Sequence, residues 1–177
     1  MGFILGFLKK TALEEIRDGI AAVYPRLWRY CLVQTGKRDR ADDLAQNTCL
    51  RAMEKHESYQ PGTHLDRWLF TMAHRLWLNE IRATAVRTGT GIVALEDTEI
   101  ADGSATSEEN IFVAEVFAKI GALPEGQRVV VLLAYVEGFT YQETADTLGI
   151  PIGTVMSRLA SARKKIAGAL SAVEAGE

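Results

Sequence analysis

Residues 138–166, GFTYQETADTLGIPIGTVMSRLASARKKI, decide how the rest of the chain is read. Thr140 followed by Glu143 fits a capping box, in which each side chain satisfies a backbone N–H at a helix start. The helix that follows, Tyr141–Leu148, meets Gly149, a residue that accepts the left-handed conformation ending a helix. Pro151 then suits the opening of a second helix, because its missing N–H would be unpaired there in any case. Two short helices and a tight turn result. Val155, Leu159, Ala162 and Ile166 recur at helical spacing and form one buried stripe. Residues 126–136 are apolar enough to supply a third helix packed on both.

The second helix carries different chemistry on its other side. Thr154, Ser157, Arg158, Ser161 and Lys165 share a face, with Arg163 and Lys164 beside it. Small hydroxyls can approach base edges or phosphates, and arginine can fork onto guanine. The same residues also suit a solvated amphipathic helix whose basic end complements the helix dipole. The turn chemistry, more than the periodicity, favours a helix that enters the major groove.

The chain of 177 residues is 47% hydrophobic, which supports a packed core, and carries a net charge of −3. That sum hides an uneven distribution. Residues 24–87 hold 11 basic and 7 acidic groups, residues 88–127 hold 8 acidic groups against Lys119, and residues 128–165 hold 5 basic and 3 acidic. Two mildly basic blocks flank an acidic connector, and local charge governs contact with a polyanion. Cys31 and Cys49 lack metal-ligand spacing and read as free thiols of a reducing compartment. His56, His64 and His74 have no partner ligands at suitable spacing, so no metal and no cofactor is expected. The opening MGFILGFLKKT has its lysines after a short apolar run, unlike a secretory signal or a membrane span. A cytoplasmic protein without membrane insertion is expected.

Helical periodicity extends over most of the remainder. Ile16, Ile20, Val23, Leu27 and Tyr30 mark a helix within residues 11–36, with a break or restart expected near Pro25. A polar turn leads to a helix over residues 42–56, with Asp42 and Asp43 in its first turn. SYQPGTH, residues 58–64, is a loop. Residues 65–82 form a long helix. Residues 84–110 are rich in Gly, Ser, Thr and acid, and read as a tether. Helical pattern resumes over 111–123 and again through LPEGQRVVVLLAYVEG. No strand of useful length and no internal repeat is present. The fold class is all-α, with two small helical domains, 11–87 and 111–170, joined by a flexible acidic linker, 88–110.

DDLAQNTCLRAMEK from Asp42, WLFTMAHRLWLNEIR from Trp68 and the stretch from Leu123 to Ile166, taken in that order, resemble a bacterial sigma factor of the extracytoplasmic-function (ECF) type. That family keeps only the second and fourth sigma regions, and the likeness covers about four-fifths of the chain. It implies no enzyme but a dissociable specificity subunit of RNA polymerase that directs promoter recognition and transcription initiation. It implies as partners the RNA polymerase core enzyme, promoter DNA and an anti-sigma factor. Asp43, Leu44, Gln46 and Arg51 would dock on the clamp helices of the polymerase. Tyr59, Gln60, Thr63 and His64 would capture a base at the −10 element, with Arg67, Arg75 and Asn79 lining phosphates or bases. Thr154, Ser157, Arg158, Ser161, Arg163 and Lys165 would meet the −35 element.

Three positions depart from the family pattern: Asn47 replaces a common acid, Arg75 a common asparagine, and Met156 a common base. At Met156, contact with a thymine methyl could replace a phosphate contact. Two other readings stand beside this one. A sigma-like adaptor would bind an anti-sigma factor without meeting DNA, but it would have no use for a hydroxyl-and-arginine face. A dimeric repressor would bind a palindrome unaided, and would leave the first bundle without a role. No nucleophile–base pair, glycine-rich phosphate loop or carboxylate pair suggests catalysis.

Overall fold

A computed structural model of the chain describes residues 10–88 and 119–174; every described element is helical. Helix α1 spans Ala12–Thr35, α2 Arg38–Glu54 and α3 Leu65–Thr88. A single 3₁₀ turn, His56–Ser58, separates the last two. Helix α4, Glu125–Val131, runs on into a π-helical turn, Leu132–Val136; α5 is Tyr141–Leu148 and α6 Ile152–Glu174. Residues 84–88, expected to open the tether, belong to α3; residues 89–110 and most of the helix expected over 111–123 lie outside the described residues, as does most of the N-terminal MGFILGFLKKT.

Local signals explain most element ends. Thr11 and Glu14 make a full capping box at the start of α1, and Gly36, at φ 72°, ends that helix in the left-handed region. Helix α1 does not break at Pro25. The lost N–H leaves the carbonyl of Ala21 without its helical donor, but Ala21, Ala22 and Pro25 all face water, which can supply one. Helix α2 begins at Arg38 rather than Asp42. Its N-cap, Lys37, has no capping side chain, so the start carries no local signature; the buried Ala41 already belongs to the core stripe. Helix α3 runs six residues beyond the expected Arg82.

The core is continuous. Tyr30, Cys31, Val33 and Gln34 of α1 are buried, together with Leu44 of α2 and Leu69, Phe70, Ala73 and Trp77 of α3. Tyr30 meets Phe70 edge-on at 4.9 Å between ring centroids. The α4–α6 segment buries Val129–Leu133, Phe139, Ala145, Leu148, Val155, Leu159 and Ala162. Phe139 reaches across to Phe70 at 5.5 Å, so the two segments share one apolar seam. Near that seam, α1 ends with two buried polar residues, Gln34 and Thr35. Gln34 donates to the Tyr30 hydroxyl at 2.7 Å and meets His74 Nδ1 at 2.9 Å.

Candidate polymerase and promoter-DNA interfaces

The helix-turn-helix forms as its sequence dictates. Glu143 N–H donates to Thr140 Oγ1 while Glu143 Oε2 accepts from Thr140 N–H at 2.8 Å. Gly149 sits at φ 63°, and α5 occupies Tyr141–Leu148 as expected. Pro151 lies one residue before α6, with its carbonyl accepting from Thr154 N–H at 2.8 Å. Val155, Leu159 and Ala162 are fully buried, which fixes the rotation of α6. That rotation divides the residues expected to read DNA. Ser157, Arg163 and Lys165 are exposed, whereas Thr154, Arg158 and Ser161 are half-buried.

Internal contacts explain the division. Ser161 Oγ accepts from Gln127 Nε2 at 3.1 Å, which ties α6 to α4. The Arg158 guanidinium lies against Gly126, where a Cβ would stand 3.1 Å from Cζ. Arg158 therefore lies half-buried against α4. The outward surface of α6 instead offers Gly153, Met156, Ser157, Ala160, Arg163 and Lys164. Met156 is 53% exposed. A helix surface of thioether, methyl and hydroxyl groups, with cations one turn on, suits apolar contact with base edges and ionic contact with phosphates.

The first three helices hold the other expected residues. Gln60, Thr63 and His64 lie exposed in the loop before α3, which turns at Gly62, φ 80°. Tyr59 differs from expectation. It is 3% exposed, packs against Trp68 at 5.2 Å, and donates its hydroxyl to Glu15 Oε1 at 2.6 Å. Burial, chiefly, pushes its phenol up to about 12. Glu15 also accepts from Gly62 N–H at 2.9 Å, so Tyr59 and Glu15 together brace the loop from behind. Tyr59 braces the loop and does not present a free ring.

Arg75 and Asn79 are exposed on α3, and Arg82 continues the row one turn further. Arg67 is not part of it. Its Nε donates to Glu143 Oε1 at 2.7 Å, and its guanidinium lies 5.0 Å from the centre of the Phe139 ring. On α2, Asp43, Gln46 and Arg51 are exposed, but Leu44 is 3% exposed and belongs chiefly to the core. The groove between α2 and α3 holds about 430 Å³ and is lined by Leu44, Asn47, Leu50, Arg51, Glu54, Leu76 and Glu80. Leu50 is 60% and Met53 40% exposed beside it. Leu50 is not singled out by the sequence, and of Ala52 and Met53, the alternatives that helical periodicity offers for the buried side, it is Ala52 that is buried.

Both thiols are free, and burial raises that of Cys31 and, less, that of Cys49. Among the described residues no cluster of three or more His, Cys, Asp or Glu could hold a metal ion, and no helix is long and apolar enough to cross a membrane.

Helices α1–α3 with an exposed α2–α3 groove, followed by a three-helix unit ending in a helix-turn-helix, define a two-region sigma-type transcription factor. Residues 20–87 match the family model of sigma-70 region 2, and residues 114–166 match that of sigma-70 region 4. The chain is 33% identical over 165 residues to the ECF RNA polymerase sigma factor EcfG of Rhodopseudomonas palustris, covering 89% of this chain and 86% of that protein. It is 32% identical over 153 residues to the ECF sigma factor SigL of Mycobacterium tuberculosis, covering 83% and 82%. The chain belongs to the ECF family of RNA polymerase sigma factors, the promoter-specificity subunits of that enzyme. Its fold is similar to that of Bartonella quintana RpoE, solved with the anti-sigma factor NepR, at a TM-score of 0.72 and 24% identity over 89% of this chain and 97% of that one. CnrH, solved with the cytosolic domain of CnrY, has a TM-score of 0.62 at 22% identity, over 89% and 88%.

Proposed function

We propose that the chain seats on core RNA polymerase through α2 and grips a promoter at two places, performing no covalent chemistry itself. Asp43, Gln46, Leu50, Arg51 and Met53 form the docking face. The loop of Gln60, Thr63 and His64, braced by Tyr59, receives an unstacked base of the −10 element, which needs a flat polar or π partner to offset lost stacking. Arg75, Asn79 and Arg82 line the adjoining backbone. Met156, Ser157 and Ala160 meet base edges of the −35 element, and Arg163, Lys164 and Lys165 its phosphates. The domains divide as 11–87 and 111–170, with 88–110 setting how far apart the two contacts lie.

The observation that carries this reading is that both matched regions keep surfaces that internal packing leaves unspent: Leu50 and Met53 on one, Met156 and Ser157 on the other. Each good base contact discriminates by roughly 1–3 kcal/mol, too little for selectivity alone. Joining two such contacts on one polymerase adds them through effective concentration. Relatives in fold were solved with anti-sigma partners, and a protein of that kind is the proposed regulator here, acting in the cytoplasm where polymerase works. Run-off transcription of genomic fragments with core polymerase tests the proposal. A recurring pair of upstream motifs at a fixed spacing supports it, and random starts refute it.

A further inference from the structure

Glu15 of α1 stands ahead of residues 20–87, where the match to sigma-70 region 2 lies, yet it clamps the loop before α3 at two points. Its Oε1 accepts from the Tyr59 hydroxyl at 2.6 Å and its Oε2 from Gly62 N–H at 2.9 Å. The Tyr59 hydroxyl also lies 3.0 Å from the Thr63 carbonyl, but its one proton goes to the closer, charged acceptor. Thr63 closes the turn by donating its own hydroxyl to the Gln60 carbonyl at 2.7 Å. The Tyr59 hydroxyl, then Gly62 N–H, hold the Glu15 carboxyl below its ordinary value of 4.5, so both oxygens accept at neutral pH. The clamp is itself anchored. Thr11 and Glu14 cap α1 just before it, and Ile16 beside it is fully buried. One turn on, Gly19 lets α1 approach the first residue of α3: a Cβ there would stand 2.5 Å from Leu65 Cδ2. Glu15 and Gly19 share a helix face, so α1 fixes where the loop begins, turns and ends.

We propose that Glu15 is a positioning residue for recognition of the −10 base: it holds the loop so that the exposed Gln60, Thr63 and His64 present one fixed arrangement of polar groups. Glu15 itself touches no DNA. An exposed loop samples many conformations unless tertiary contacts select one. An unstacked base is told from its rivals by hydrogen bonds to its edge, which requires donors and acceptors held in place. Glutamate suits this position because two donors converge on it and a carboxylate accepts at both oxygens. Glutamine can match it by one route: Tyr59 turns its proton to the Thr63 carbonyl, 3.0 Å away, and accepts from the glutamine amide while Gly62 N–H meets the amide oxygen. Alanine meets neither donor. This inference rests on the promoter-binding role proposed above.

Open-complex formation by core polymerase and the full chain, on a recovered promoter with each −10 and −35 base permuted in turn, tests it. Glu15→Ala should lower discrimination at one −10 position by roughly fivefold or more, the scale of one lost base contact. Discrimination at the −35 positions and affinity for core polymerase should stay as in the wild type. Glu15→Gln should keep most of the −10 preference. Tyr59→Phe, whose ring still packs on Trp68, should lose part of it. Glu15→Ala with Tyr59→Phe should be no worse than Glu15→Ala alone, since both act through one clamp. Arg17→Ala, at an exposed neighbouring position, should leave both preferences unchanged. Urea unfolding reports whether each variant folds; Tyr59→Phe carries the test if Glu15→Ala does not. A folded Glu15→Ala chain that keeps its −10 preference, or that loses −10 and −35 preference alike, overturns the positioning role. A wild-type chain without any −10 preference overturns the promoter-binding role itself, a failure read from the unsubstituted protein alone.

Discussion

Arg67 on α3 and Glu143 on α5 are joined at 2.7 Å, although 76 residues separate them in sequence. Glu143 is also half of the α5 capping box. The Arg67 guanidinium, then the Thr140 backbone N–H, hold its carboxyl down at about 2. A depressed carboxylate stabilises the fold above its ordinary value of 4.5 and loses that contribution as pH falls towards 2. Thermal unfolding between pH 5 and pH 2 should therefore show a falling midpoint, and Glu143→Gln should flatten part of that fall. At pH 7 the same variant should cost about 1 kcal/mol through the lost charge on the Arg67 bond, since a glutamine there still completes the capping box.

Gly149 tests the turn. Its φ of 63° is a conformation that residues with a Cβ resist, yet no atom lies within 4 Å of where a Cβ would be. Gly149→Ala should lower stability by roughly 1–2 kcal/mol from backbone conformation alone. Denaturant unfolding should show a lower midpoint at unchanged slope.

Leu159 tests the rotation of α6. It is fully buried, so Leu159→Ala should cost about 3 kcal/mol, as deletions in a packed core do. Weaker transcription from −35-dependent promoters should follow, because the helix that reads them is no longer held in register.

Leu50 tests the docking face. At 60% exposure it contributes little to the fold, so Leu50→Glu should leave the melting curve within about 0.5 kcal/mol. Affinity for core polymerase, read by competition with the wild-type chain, should fall about tenfold or more, the range expected of a central apolar interface residue.

Met156 tests the reading face. Met156→Ala should lower initiation at promoters with the native −35 sequence and spare binding to core enzyme. A loss of about 1 kcal/mol at one base position, read by permuting that position, is the scale expected for one apolar base contact. Arg158→Ala, by contrast, should act through the packing of α6 on Gly126 and shift stability as well as transcription.

The helix-turn-helix was legible because its signals are local. A capping box, a glycine and a proline fall within twelve residues, and α5 follows them residue for residue. The start of α2 was not, since Lys37 offers no capping group. Pro25 misled for a related reason: the sequence shows the missing N–H but not the solvent around Ala21 that removes its cost. Three of the expected site residues make tertiary contacts that the sequence does not show. Tyr59 bonded to Glu15, Arg67 to Glu143 and Arg158 laid on Gly126 leave no periodic trace, because each partner is 32 or more positions away. Leu50, which the sequence did not single out, is an apolar side chain on the outside of a well-patterned helix, a reversal that only the packing reveals.

The most direct measurement is initiation by purified core polymerase on one recovered promoter, with and without the chain, followed by permanganate reactivity of thymines at the −10 element. A defined start site with melted −10 thymines, present only when the chain is added and lost when either upstream motif is scrambled, is the predicted result. Unchanged initiation on adding the chain, or melting indifferent to both motifs, would contradict the account.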